Sequence, residues 1–179
     1  MPARAVALLR GINLGPRRRI AMAQLRENLG QAGYEGVATY LQSGNVVLRS
    51  ELDGDALARR LEGHIREWFG FDVPVVLRSA AELAEILVAN PLRDVADEPK
   101  RYQVSFLSGE LDDSVVAELS ALAVEPERVA ILGREVYAWH PDGVIGSRLA
   151  SALATRKLGV TVTARNWTTV TKLAELSRG

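Results

Sequence analysis

The chain has 179 residues, 22 basic and 22 acidic side chains, no cysteine and 47% hydrophobic content. That balance suits one ordinary domain or two small ones, sets aside disordered and fibrous classes, and the missing cysteine removes disulfides, thiolate nucleophiles, zinc–thiolate sites and iron–sulfur clusters together. The apolar run Ala5 to Leu9 ends at Arg10 and is too short for a signal-peptide core, and nothing approaches the roughly 20 apolar residues of a membrane helix, so a cytoplasmic protein with no membrane partner is expected.

Ala3 to Arg10 is short and apolar and stops at Arg-Gly, which reads as a buried strand; Met22, Leu25, Leu29 and Ala32 then recur at helical spacing until Gly33. Val37 to Leu41 and Val46 to Arg49 flank the turn residues Ser43-Gly44-Asn45 as a hairpin. Leu57, Leu61, Ile65 and Trp68 form a helix stripe, and Val73 to Leu77 reads as a strand. Ser79 with Glu82 resembles a capping box, and the helix it opens stops at Asn90 because Pro91 disfavours helical geometry before it.

Two prolines and mixed charge make residues 91–100 the expected linker. Tyr102 to Leu107 restarts the series as a strand. Val115, Leu119 and Leu122 mark a helix, Val129 to Leu132 and Val136 to Trp139 a hairpin through Gly133, Leu149 and Leu153 a helix ended by Gly159, and Val160 to Ala164 a strand. A last helix carries Val170, Leu173 and Leu176. The expectation is an α+β protein made of a tandem pair of ferredoxin-like βαββαβ units, each followed by an extra helix, with residues 1–90 and 101–179 as the two units.

Lys+Arg against Asp+Glu runs 7 to 2 over residues 1–50, 6 to 11 over 51–100, 4 to 8 over 101–150 and 5 to 1 over 151–179. Two basic ends enclose an acidic middle, which suggests an anionic partner at the ends without fixing a reaction. Three polar insertions lie in those ends: Arg10-Gly11-Ile12-Asn13, Gln42-Ser43-Gly44-Asn45 and Arg165-Asn166-Trp167. In a ferredoxin-like sheet of order 4-1-3-2, the end of strand 1 lies at the edge where the strand 2 to strand 3 hairpin turns, so the first two insertions should meet. The first helix begins at that edge, with unpaired backbone N–H groups that favour an anion.

Arg10, Arg19, Asn13, Gln42, Ser43 and Asn45 are therefore candidate ligand-binding side chains, and Gly11 and Gly44 allow close backbone approach. Arg165 and Asn166 are candidates from the second half. Each has a structural alternative: a strand stop and turn for Arg10 to Asn13, ordinary hairpin chemistry for Ser-Gly-Asn, a solvated loop for Arg17 to Arg19, and a helix N-cap for Asn166. His64 and His140 read as structural histidines, although His140 becomes a possible proton carrier if Ser147 lies close. Tyr102, Phe106, Tyr137 and Trp139 share strand faces as base-stacking residues would, but core packing in an acidic half is the better use. No metal spacing and no recognised catalytic signature is present, so the sequence names neither a cofactor nor a reaction.

The chain resembles the bacterial domain-of-unknown-function family 1697. The resemblance rests on Ala7-Leu8-Leu9-Arg10-Gly11-Ile12-Asn13, Thr39-Tyr40-Leu41-Gln42-Ser43-Gly44-Asn45-Val46-Val47, Asp72-Val73-Pro74-Val75, Asn90-Pro91, Pro141-Asp142-Gly143 and Thr163-Ala164-Arg165-Asn166-Trp167. It implies an α+β fold of ferredoxin-like halves and supplies no settled activity. Pro16, Arg18 and Arg19 stand where the family pattern has Gly, Asn and Lys, and Arg148 where relatives more often have Lys. Charge is kept at the last two of these positions, while Pro16 argues against a glycine-dependent phosphate loop. The leading expectation is binding of a small anionic or phosphorylated ligand at the first sheet edge. Single-stranded nucleic-acid binding is the alternative, and a structural or interaction module, with a homo-oligomer possible, is a third.

Overall fold

The computed structural model describes residues 1–179 and contains two four-stranded antiparallel sheets with six helices. The first series is β1 (Ala3–Leu9), α1 (Met22–Gln31), β2 (Glu35–Tyr40), β3 (Asn45–Ser50), α2 (Gly54–Phe69) and β4 (Val75–Ser79), followed by α3 (Ala80–Ala89). The second is β5 (Tyr102–Leu107), α4 (Asp113–Leu122), β6 (Arg128–Leu132), β7 (Glu135–Trp139), α5 (Arg148–Thr155) and β8 (Val162–Asn166), followed by α6 (Trp167–Arg178). The sheet orders are β2-β3-β1-β4 and β6-β7-β5-β8. This is the expected α+β architecture of paired βαββαβ series, each with a helix after it.

The chain forms two compact units, Met1–Glu85 with Lys172–Gly179, and Ile86–Thr171. The division falls inside α3 and inside α6.

In the first unit the helical periodicity becomes a core on one face of the sheet. Leu25 and Leu29 of α1, with Leu57, Leu61 and Ile65 of α2, pack on Ala7, Leu9, Val46, Leu48 and Val75, an arrangement set by side chains three or four residues apart on a helix and two apart on a strand. Gly70 ends α2 in the left-handed region at φ 79°, where a side chain is disfavoured, and its N–H returns to Arg66 O. The capping box opens α3 as expected: Ser79 Oγ accepts from Glu82 N at 3.1 Å and Glu82 Oε2 accepts from Ser79 N at 2.7 Å. In the second unit Leu119, Leu122, Leu149 and Leu153 pack on Leu107, Val136, Ala138 and Val162.

Several boundaries differ from the sequence reading by one or two residues or more, and three of them have a visible cause. β4 begins at Val75, not Val73, because Pro74 has no N–H for the ladder and its carbonyl accepts instead from Arg10 N at 3.0 Å. β8 covers Val162–Asn166, two residues later than expected, since Thr161 is tied to Ser108 through the Ser108 hydroxyl and backbone. α5 ends at Thr155 and does not run to Gly159; Leu158 packs on the core from the loop.

Candidate functional site

β1 and β3 are paired antiparallel, Leu8 opposite Asn45, so the loop leaving β1 and the β2–β3 turn emerge at one sheet edge. Two bonds join them. Leu9 N donates to Gly44 O at 2.8 Å, and Asn13 Nδ2 donates to Gln42 O at 2.7 Å. The first two polar insertions therefore meet, as the sheet order requires.

The loop between β1 and α1 is built around Asn13. Its backbone is left-handed at φ 55°, which Asn tolerates better than most residues. Its side chain also donates to Ile20 O and accepts from Ile20 N, both at 2.9 Å, while its N–H reaches Arg18 O at 3.1 Å. Buried Ile12 and Ile20 anchor the two ends. Arg18 latches the middle: Nε donates to Gly11 O at 3.0 Å, Nη2 to Asp72 O at 2.6 Å, and the guanidinium lies 5.3 Å from the Phe71 ring centroid. Arg17 and Arg19 remain exposed and are in no ion pair, and Arg19 Nη1 reaches Gly15 O at 3.4 Å.

Asn45 is fully buried, and its Nδ2 donates to Tyr40 O at 2.8 Å and Ser43 Oγ at 3.0 Å. Gly44, at φ 91°, leaves no room for a side chain: an added Cβ would lie 2.7 Å from Leu9 Cβ. The amide of Asn13 makes three internal bonds, and Asn45 and Gly44 are packed inside, so these three hold the edge together, while Arg17, Arg19 and Gln42 are exposed on it beside Arg10 and Ser43. Replacing Asn13 by glycine keeps the left-handed backbone and removes only the side-chain bonds. A stability loss of about 1 to 2 kcal/mol in a denaturant titration is expected, since each bond contributes about 0.5 to 1.5 kcal/mol and the site is partly solvated; a neutral substitution would mean that the clasp is held by Arg18 alone.

Arg165 and Asn166 belong to the second unit, and the structure changes their setting. Arg165 is not in a loop past a strand end; it is buried within β8, opposite Val104, with Nη1 donating to Thr163 Oγ1 and Ala164 O, both at 2.8 Å. Burial pulls its guanidinium down to about 10. Asn166 caps α6, with Oδ1 accepting from Thr169 N at 2.9 Å, and Trp167 stacks on Tyr102 at 4.8 Å. Asn166→Ala is expected to cost about 1 kcal/mol, the usual loss for an N-cap, measured as a lowered thermal midpoint; an unchanged midpoint would count against the capping role.

Sequence reasoning missed the counterpart of Arg165. Arg78 is the penultimate residue of β4 as Arg165 is of β8. Each precedes a helix-capping residue, Ser79 or Asn166, and each donates Nη1 to the preceding carbonyl, at 2.7 Å for Leu77 O and 2.8 Å for Ala164 O. Both are buried. Laying one βαββαβ series on the other by element order would have found the pair.

Among the histidines, His64 stacks on Trp68 at 4.7 Å and meets Tyr34 edge-on; burial, then Arg60, lowers its pKa. His140 is buried with Nδ1 2.8 Å from Glu127 Oε1, and Glu127 also takes a hydrogen bond from the Ser147 side chain. Both partners converge on the carboxylate, so the arrangement is not a serine activated by a histidine. Tyr102, Phe106, Tyr137 and Trp139 are all buried, which withdraws them from base stacking. No group of three or more His, Cys, Asp or Glu is arranged to hold a metal ion, and no helix is long and apolar enough to cross a membrane.

The first unit thus carries a sheet edge closed by Asn13 and Asn45, with arginines on a fixed loop. Residues 3–137 match the model of a protein family of unknown function, DUF1697, and the chain belongs to that family. A solved structure, that of the conserved bacterial protein SP0830 from Streptococcus pneumoniae, is similar over 99% of both chains with a TM-score of 0.80 and 25% identity. No curated protein matches. The match ends before Pro141-Asp142-Gly143 and the Thr163 to Trp167 stretch, so the family assignment rests on the first unit and the start of the second.

Proposed function

We propose that this protein binds a small anionic or phosphorylated ligand at the sheet edge of the first unit, through Arg10, Arg17 and Arg19 with Gln42 and Ser43. The observation that carries the reading is the Asn13–Gln42 bond, which fixes an arginine-rich loop to the hairpin tip before any ligand arrives. Three of the four non-glycine residues with positive φ, Asn13, Arg18 and Leu41, lie on these two loops. Backbone strain of this kind persists where the surroundings over-determine it and clusters at binding sites. A preorganised cationic surface loses little entropy on binding, and arginine matches the planar, bidentate geometry of phosphate.

Thermal unfolding with inorganic phosphate or a nucleoside monophosphate, against chloride at equal ionic strength, tests the reading. At tenfold excess over Kd the stabilisation is about 1.4 kcal/mol, or a rise of about 3 to 6 °C in Tm for a chain of this size. The double variant Arg17→Ala/Arg19→Ala, altered only at exposed positions, should lose the shift. An equal shift in both proteins, or none in either, would overturn the proposal.

A further inference from the structure

Among the exposed apolar side chains that anion binding leaves without a use, those on two loops, one in each unit, stand beside opposite charges. On the basic loop Leu14 is 85% exposed, although Asn13 beside it is clamped by hydrogen bonds to Ile20 and Gln42. In the second unit Ile145 is 96% and Val124 59% exposed, and both line a cavity of about 330 Å3 shared with Glu125, Asp142 and Arg148. Single exposed apolar side chains are ordinary on a protein surface, so it is the charge beside these that singles them out. The charges around them are opposite: Arg17 and Arg19 follow Leu14, whereas residues 101–150 carry 8 acidic against 4 basic side chains. Glu125 already holds Arg128 at 2.9 Å, Glu127 holds His140 at 2.8 Å, and Arg148 is a cation in the cavity itself, so Asp142, exposed and in no ion pair, is the carboxylate left for an incoming arginine.

We propose that a second copy of this chain is the partner: Leu14 of one copy seats in the cavity beneath Ile145 and Val124 of another, with Arg17 and Arg19 against Asp142. A cavity of this size lies at the lower end of small-ligand sites and accommodates one leucine side chain. The contact is heterologous, a knob on one surface and a socket on a different one, so it closes into a ring or adds copies in a row. Its ionic part is weakened by salt. It goes beyond the anion-binding reading; Arg17 and Arg19 serve in both, and the two fail separately because assembly is read on Leu14 and Ile145, which the anion does not use.

Sedimentation velocity of the full chain over a concentration series, at low and high salt, reads the assembly. The expected result is a weight-average mass that rises with concentration and falls with salt, and that stays monomeric for Leu14→Asp and for Ile145→Asp alone. Mixing those two variants should give a one-to-one dimer and nothing larger, because the Leu14→Asp copy keeps its socket and the Ile145→Asp copy its knob. Asp142→Lys should weaken assembly about tenfold or more through like-charge opposition. Both apolar positions are exposed, and unchanged circular dichroism and melting confirm the fold of each variant. A wild type that is monomeric throughout, assembly that survives either apolar substitution, or variants that fail to complement when mixed would each overturn the proposal.

Discussion

Replacing Gly44 by alanine is expected to lower the stability of the first unit by about 3 kcal/mol, with a fall of about 6 to 12 °C in Tm. Two costs add. The backbone at Gly44 sits at φ 91°, and an L side chain in the left-handed region costs about 1 to 2 kcal/mol. The new Cβ would also stand 2.7 Å from Leu9 Cβ and 2.9 Å from Ile12 Cδ1. Ile12 could turn its terminal methyl, but Leu9 Cβ is fixed to a strand backbone whose own N–H holds Gly44 O at 2.8 Å. Relief therefore requires parting the β1 end from the hairpin tip, which is the junction on which the candidate site depends. Gly11→Ala is the control: it is also left-handed, at φ 69°, yet nothing lies within 4 Å of its added Cβ. It should carry only the conformational cost. Urea titrations of the two variants separate the contributions, and equal losses would show that the contact at Gly44 relaxes without penalty.

That junction also marks how far the sequence could be read. The period-2 and period-3.6 patterns placed all the strands and helices in order, and the sheet order then forced β1 and the β2–β3 turn to one edge. What the sequence could not give was the use of each polar residue there. Asn13 spends its amide on Ile20 and Gln42, 7 and 29 residues away, and no local pattern separates such a clasp from a ligand contact. The hairpin expectation treated Leu41 as the end of a strand, whereas β2 stops at Tyr40 and Leu41 turns left-handed at φ 59°; branched residues seldom do this, so propensity pointed the other way. Arg165 was misplaced for a related reason. The β-branched run from Val160 looks like a strand start, but Thr161 is engaged by Ser108, and the ladder shifts two residues onward to include the arginine. Arg78 was overlooked because the duplication is one of element order, with little identity to align.

Glu127 is the residue whose loss should matter most in the second unit, again through bonds that span the sequence. Its carboxylate joins three segments: the approach to β6, His140 at the end of β7 through Nδ1 at 2.8 Å, and Ser147, which caps α5 by accepting from Ala150 N at 3.1 Å. Glu127→Ala leaves the buried imidazole of His140 without its partner, and a loss of about 2 to 4 kcal/mol follows from the cost of an unsatisfied buried polar group near a removed charge. The acid limb of the stability profile provides an independent reading. Burial alone would raise the Glu127 pKa, but hydrogen bonds from Ser147, His140 and Val124 N outweigh it and hold the carboxyl below its ordinary value. A carboxyl depressed in the folded state contributes stability that is present above its unfolded pKa, about 4.3, and is lost as pH falls through the folded value. Wild type should therefore lose more stability than Glu127→Gln on acidification, and the gap between them, widest near neutrality, should narrow below about pH 4. A gap that stays constant from neutral to acidic pH would show that the carboxylate's charge contributes nothing and that the junction of β6, β7 and α5 is held by shape alone.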